Sequence, residues 1–400
     1  MTEMAHTPVM MEEVLSTLPL RPGSVVVDGT LGLAGHASAM AKRIAPGGLL
    51  VALDWDASML ARAREILSEL SEVDVKTYHS DYRSLPTCLG DACHGSGRAV
   101  GADAILLDLG LNMAQIDDPK RGITFRSAGP LDMRMDRSHG EPASAVLNRL
   151  SAREIEQMLW EYGDERWARK IAQVIVDRRK LTPLETTEDL VDCVLAAVPA
   201  AKRDKRIHPA TRTVQAVRIF VNQELDGLKE AVIEAARCLN VSGVIVVLSY
   251  HSGEDRAVKF AFKELAQSNS FELITKKPLR PQEAEVKANP KARSAAFRAL
   301  TRVMEAPSHE KSRPIRTRRN VLDEPIAVSK VKENRRPLGL EFFASQALLF
   351  AVIFVVTYGF SLLMGNSVME YARRSKIRSM ETAKVARDDT AVIRGRLDRL

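Results

Sequence analysis

Residues 25–37 read VVVDGTLGLAGHA, an apolar run closed by Asp28 and followed by Gly29, Gly32 and Gly35 at intervals of three. A glycine-rich turn after a buried strand lets the backbone come close to a small ligand. Two phosphate-binding patterns fail here. A triphosphate loop needs Gly-x4-Gly-Lys-Ser/Thr, and no lysine follows Gly35; a dinucleotide loop needs GxGxxG, and GxxGxxG misses it by one residue. Strand, strand-end aspartate, glycine turn and helix together suit S-adenosylmethionine, whose amino-acid end carries no phosphate. Asp54 closes the next apolar run and is placed to accept both ribose hydroxyls. The competing reading is that the glycines serve only tight helix–sheet packing.

Such residues need a sheet to hold them. Strand-like runs at 24–28, 49–54, 75–80 and 102–110 alternate with helical segments, among them 56–70, where Asp56 is the predicted N-cap. Strands apolar on both faces and separated by helices imply a parallel sheet covered on both sides. From 118 to 212 the pattern is helical, as in SAREIEQMLWEYGDERWARKIAQVIVDRRK, and reads as an insertion. One long amphipathic helix is expected over 213–239, feeding the strand GVIVVLSY (243–250). FELITKKPL and FRALTRVME then suit an antiparallel pair at the sheet edge. The expected division is a sheet domain of 1–117 and 213–306, interrupted by the helical insertion 118–212.

The chain has 400 residues, 45% hydrophobic and 27% charged, enough for a sizeable core and two or three units. A net charge of +7 permits nucleic-acid binding without requiring it. Four cysteines without a CxxC pair or a histidine at ligand spacing fit a reduced compartment and leave no metal site expected. MTEMAHTPVMMEEV lacks the basic and apolar regions of a signal peptide. A basic, proline-bearing linker is expected over 307–339. Residues 342–364, FFASQALLFAVIFVVTYGFSLLM, hold no charge across twenty-three positions. About twenty apolar residues cross a bilayer, so 340–364 reads as one transmembrane helix. Residues 365–400 return to a polar helical pattern with a weak heptad hint.

Several blocks resemble the MraW (RsmH) family of S-adenosylmethionine-dependent 16S rRNA cytosine-N4 methyltransferases. They are HTPVMMEEV (6–14), DGTLGLAGH (28–36), LLDLGLNMAQIDDPKRGITF (106–125), GPLDMRMD (129–136), YGDERWARKIA (162–172), HPATRTVQAVRI (208–219), SYHSGEDR (249–256) and NPKARSAAFR (289–298). Their order covers residues 5–305, and GPLDMRMD with HPATRT is the most specific part. The resemblance implies a class I, Rossmann-like α/β methyltransferase. It implies cofactor contacts at Ala34, Gly35 and His36, the ribose on Asp54, the adenine beside Tyr82, and further contacts at Asp108 and Gln115. Two places depart from the family pattern: Leu33 and Ala34 stand for a basic residue and glycine, and Leu111, Asn112 and Met113 for Val-Ser-Ser.

Cytosine N4 is a poor nucleophile because its lone pair is delocalised into the ring. An enzyme must hold the amino group in line with the methyl–sulfur bond and accept one of its N–H hydrogens. Asp108 and Asn112, after the fourth strand, are the candidate acceptors. Attack through cytosine C5 would need a cysteine, and neither Cys88 nor Cys193 has a catalytic-looking context. His208, Arg212, Arg293 and Arg298 are candidates to grip the RNA backbone; Arg134, between Asp132 and Asp136, reads as an ion-paired loop. The substrate implied is the decoding centre of the small ribosomal subunit. The expected location is cytoplasmic for the methyltransferase domain, tethered to the inner membrane. The alternative is a membrane-anchored interaction protein, loosely similar to the cell-division protein FtsL, with an inactive methyltransferase domain and cell-division partners for its tail.

Overall fold

In the computed structural model, the residues described are 8–304, apart from 112–114, 117, 126–127 and 205. The chain divides into units 1–312 and 313–400, and all described residues belong to the first. Asn112, the linker, the apolar run 342–364 and the polar tail therefore lie outside the described residues. Among the described residues no helix is long and apolar enough to cross a membrane.

Seven strands form one sheet: β1 (Val25–Asp28), β2 (Gly48–Asp54), β3 (Val73–His79), β4 (Ala102–Asp108), β5 (Leu239–Ser249), β6 (Phe271–Leu273) and β7 (Ala296–Arg302). Their order is β3-β2-β1-β4-β5-β7-β6; neighbours from β3 to β5 pair parallel, while β7 runs antiparallel to β5 and β6. The edge pair expected from FELITKKPL and FRALTRVME is present, although its first strand is only three residues long. Reversal of strand order on either side of β1 opens a crevice at the carboxyl ends of β1 and β4, where such sheets bind ligands.

Helices cover both faces. On one side lie α1 (Met11–Thr17), α2 (Gly35–Ile44) and α3 (Ala57–Leu67); on the other lie α4 (Leu85–Gly95) and two later helices. The pleat explains the division. Val25 and Val27 point into one core, and Val26, fully buried, points into the other. Complete burial of each such side chain contributes about 1.5–3 kcal/mol, so continuous apolar strands are what a two-sided sheet requires. Asp56 caps α3 as expected, accepting from the amides of Ser58 (3.0 Å) and Met59 (3.3 Å).

After β4 come α5 (Ala143–Arg149), α6 (Ala152–Gly163), α7 (Ala168–Arg179), α8 (Thr187–Ala197) and α9 (Ala210–Asn222), then α10 (Leu228–Arg237) before β5. Capping boxes start α6 at Ser151 and Glu154 and α8 at Thr186 and Asp189. The single long helix expected over 213–239 is two helices. Gln223 (φ 50°) and Gly227 (φ 67°) adopt left-handed backbone and break it between them. The halves serve different cores: Val214 and Val217 of α9 pack with Ile155, Leu159 and Ile171 of the insertion, whereas Leu228 and Val232 of α10 pack under the sheet. An uninterrupted helical period in the sequence therefore hid a boundary between two packing units. Helix α11 (Ser252–Ala266) follows β5, and α12 (Glu283–Ala288) precedes β7.

Candidate active site

Three carboxylates meet at the carboxyl edge of the sheet. Asp28 ends β1, Asp54 ends β2 and Asp108 ends β4, each placed by a strand whose preceding residues are apolar and buried. Asp28 is 1% exposed and accepts the Thr30 amide at 3.1 Å. Burial, reinforced by the Asp108 and Asp54 charges and opposed by that amide, lifts its carboxyl to about 7. Asp54, 8% exposed, accepts the Gly32 amide at 2.7 Å and the Asp56 amide at 2.8 Å. Burial lifts it to about 6 against the pull of those two amides.

These raised values have a consequence for stability. Between the unfolded carboxyl range, near 4, and pH 7, the native state keeps protons that the unfolded chain has released, so stability falls as pH rises through this window. Asp28→Asn keeps the oxygen that accepts from Thr30 and removes the charge. We expect it to flatten the decline between pH 4 and 7 and to raise stability above pH 7 by the order of a few kcal/mol. Thermal unfolding of the cofactor-free protein at pH 5 and pH 8 measures this; an unchanged pH slope would show that Asp28 is no more protonated folded than unfolded.

The glycine turn serves both ligand approach and packing. Gly32 (φ 52°) takes the left-handed turn and aims its amide at Asp54. A Cβ on Gly35 would stand 2.5 Å from Cγ of Pro8, so the helix start is pressed against that proline. Ala34 caps α2 in left-handed backbone (φ 61°), the conformation for which glycine is favoured and where the family pattern has glycine. His36 is buried, with Nε2 3.0 Å from the Val9 carbonyl and Nδ1 3.6 Å from Oδ2 of Asp108. Pro8 and Val9 thus support the loop from outside. The block was legible as a motif, but the contact of Pro8 with Gly35 and of the Val9 carbonyl with His36 was not.

Asp108 is fixed from two sides. Its amide donates to the Thr30 hydroxyl at 2.6 Å, and Oδ1 accepts the Tyr250 hydroxyl at 2.7 Å. Tyr250, directly after β5, was not singled out in the sequence; the only signal for it was its place in SYHSGEDR, as the last residue of the expected strand 243–250. Tyr82 lies where the β3 end meets the glycine turn, its Cβ 3.4 Å from where Gly29 would carry one and its hydroxyl 3.4 Å from the Glu224 carbonyl. Gln115, 4% exposed, donates to Oδ2 of Asp56 at 2.9 Å, and Arg121 reaches the same oxygen at 2.7 Å. Hydrogen bonds and the Arg121 charge hold the Asp56 carboxyl below its ordinary range despite burial. Gln115 thereby ties the segment after β4 to the cap of α3.

The candidate RNA residues separate. His208 is exposed, accepts the Ala210 amide at 3.2 Å and packs its ring 4.7 Å from that of Phe125. Arg212 and Arg293 are exposed, Arg212 donating to the Asp164 carbonyl at 3.3 Å. Arg298 differs from expectation. It is 7% exposed, and its guanidinium makes two bonds to Asp255, at 2.7 and 3.1 Å, so it is a buried ion pair instead of a surface cation. Its strand, β7, turns it inward, which its charge gave no reason to expect. Arg134 is paired with Asp132 at 2.7 and 3.1 Å. Among the described residues one donor set has metal-ligand spacing, Glu224, His251 and Glu254. Arg218 occupies both Glu224 oxygens at 2.8 Å, so that set works as a buried charge network.

A cation-bearing nucleoside fits this edge. Asp54 keeps a lone pair on each oxygen for ribose hydroxyls, the αL turn brings backbone amides to the crevice, and clustered acids favour a sulfonium ligand. Strand order with an antiparallel β7, the glycine turn and the paired strand-end acids define a class I S-adenosylmethionine-dependent methyltransferase. The model of the MraW methylase family matches residues 3–303. The ribosomal RNA small subunit methyltransferase H of Heliobacterium mobile is 41% identical over 316 residues, covering 75% of this chain and 100% of that protein. Those of Geotalea uraniireducens (41% over 321 residues; 76% and 100% covered) and Syntrophobacter fumaroxidans (40% over 310; 74% and 95% covered) are similar in extent. The chain belongs to the MraW methylase family.

Proposed function

We propose that this protein methylates N4 of a cytosine in the decoding centre of 16S rRNA, using S-adenosylmethionine. The observation that carries the reading is Asp108, held by the Tyr250 hydroxyl at the end of β4 beside the glycine turn. Family membership, with relatives named as small-subunit rRNA methyltransferases, supports the substrate.

When bound, S-adenosylmethionine supplies an electrophilic methyl group on a sulfonium. Asp54 holds the ribose, the turn at Ala34 and Gly35 receives the amino-acid end, and Tyr82 and Gln115 border the nucleoside. The target cytosine is flipped from its stack, at a cost of a few kcal/mol. Asp108 accepts an N4–H hydrogen bond, which localises the nitrogen lone pair and orients it for in-line attack. Asn112 is the second proposed acceptor. Tyr250 holds the Asp108 carboxylate by donating to Oδ1. The Val9 carbonyl can only accept, so His36 donates to it from Nε2 and turns Nδ1 toward Asp108. Asp108 is the proposed acceptor of the proton released from N4. His208, Arg212 and Arg293 are proposed to hold the RNA. Mass spectrometry of small-subunit rRNA from a strain lacking the protein should show loss of one N4-methyl mark on cytosine; an unchanged pattern refutes the substrate.

We propose further that 342–364 anchors the methyltransferase domain on the cytoplasmic side of the inner membrane. The support is its twenty-three positions without a charge. Full-length protein should sediment with membranes and resist carbonate extraction, while a chain ending at Glu305 should stay in solution and bind S-adenosylmethionine. A soluble full-length protein refutes the anchor and with it the likeness to FtsL.

A further inference from the structure

Beyond Asp108, the end of β5 opens onto a cleft of about 440 Å³. β5 lies between β4 and β7, so this cleft is one to two strand spacings, about 5–10 Å, from the Asp108 strand. Tyr250 belongs to both places: it lines the cleft, and its hydroxyl is bonded to Asp108.

The wall is one face of α11. Ser252, Asp255, Arg256 and Lys259 follow i, i+3, i+4, i+7 spacing and line the cleft together, while Val258, Phe262 and Leu265 on the other face are buried in the core. The charges there are unbalanced. Asp255 is neutralised by both bonds from Arg298. Arg256 and Lys259 are exposed, and neither has a hydrogen-bond or ion-pair partner among the described residues. Arg280 faces them from the segment before α12, its Nη1 steadied by the carbonyls of Ser294 (3.1 Å) and Ala295 (3.0 Å). Three cations thus surround an open polar cleft whose lining carboxylate is already paired. The cleft also meets the positive end of a fifteen-residue helix.

We propose that this cleft seats a backbone phosphate of the RNA strand flanking the target cytosine, with Arg256, Lys259 and Arg280 as its ligands. The inference rests on the reading above that the substrate is an RNA. A flipped nucleotide carries a phosphate on each side of its sugar, and a strand leaving the Asp108 pocket past Tyr250 passes over this opening. Arginine and lysine on a phosphate set register and affinity without reading sequence. The buried Asp255–Arg298 pair positions the α11 face, which gives Arg298 a role at the RNA site through its neighbour.

The test is the full-length protein with Arg256→Glu and Lys259→Glu together, against Arg256→Lys with Lys259→Arg. Both positions are exposed, so the thermal midpoint should not move, and calorimetry should return an S-adenosylmethionine affinity within about twofold of wild type. Binding of a short single-stranded RNA should weaken at least tenfold, with the salt dependence of log K reduced by about one; the charge-conserving variant should restore it. RNA affinity and salt slope unchanged in the double variant overturn the proposal. If wild type binds the RNA with this slope but transfers no methyl to small subunits, the substrate reading fails and the phosphate site stands. Inorganic phosphate binding that the variant abolishes, with RNA affinity unaltered, would make the cleft a site for the free anion and would also overturn the proposal.

Discussion

Asp108→Asn should lower methyl transfer to small ribosomal subunits by about 10²–10⁴-fold, the range associated with a positioned acid–base group. Asparagine retains an oxygen for the Tyr250 hydroxyl, so the side chain should stay where it is. What it loses is the anionic acceptor proposed for the N4 hydrogen, and it offers a competing donor instead. Because that contact strengthens as N4 pyramidalises, the loss belongs in kcat, with S-adenosylmethionine affinity changed by less than about tenfold. Single-turnover transfer at saturating cofactor, alongside calorimetry, separates the two. Equal losses in affinity and turnover would assign Asp108 to cofactor binding alone.

Asp54→Ala should weaken S-adenosylmethionine binding by about a hundredfold or more. The two charge-assisted hydrogen bonds proposed to the ribose would contribute about 1.5–3 kcal/mol each, and each 1.4 kcal/mol is tenfold in affinity. The structure adds a second loss. The same carboxylate anchors the Gly32 and Asp56 amides, so alanine also loosens the turn that must close on the ligand. Asp54→Asn, which keeps one acceptor oxygen, should lie between wild type and alanine. The carboxyl sits near 6 in the free protein, so wild-type affinity should fall by up to tenfold per unit as pH drops below that value. An alanine variant binding within threefold of wild type would show that the ribose is held elsewhere.

Most of the sheet was legible because its strands are buried on both faces. Val25, Val26 and Val27 leave no polar alternative to a central strand, and Asp28, Asp54 and Asp108 mark the ends as the acids that close each apolar run. The Asp56 cap and the antiparallel edge were legible for equally local reasons. The break at Gln223–Gly227 was not. Amphipathic period runs through both halves, and only the presence of two cores, one in the insertion and one under the sheet, decides that the chain must turn there.

The sequence by itself determined the two-sided parallel sheet, the acid at each strand end and the glycine turn between β1 and α2, because strand burial and backbone freedom depend on residue type over a few positions. Tertiary structure alone decided what those acids meet. Tyr250 reaches Asp108 from 142 positions away, Asp255 withdraws Arg298 from solvent across 43, and Pro8 closes on Gly35. A charge announces itself in sequence, but whether it is spent inside on a partner or left at the surface for a ligand depends on which strand or helix the fold sets against it. Arg298 and Arg256 are the pair that shows this: both are arginines from motifs near the sheet's end, one buried in an ion pair and the other exposed at the cleft with no partner among the described residues.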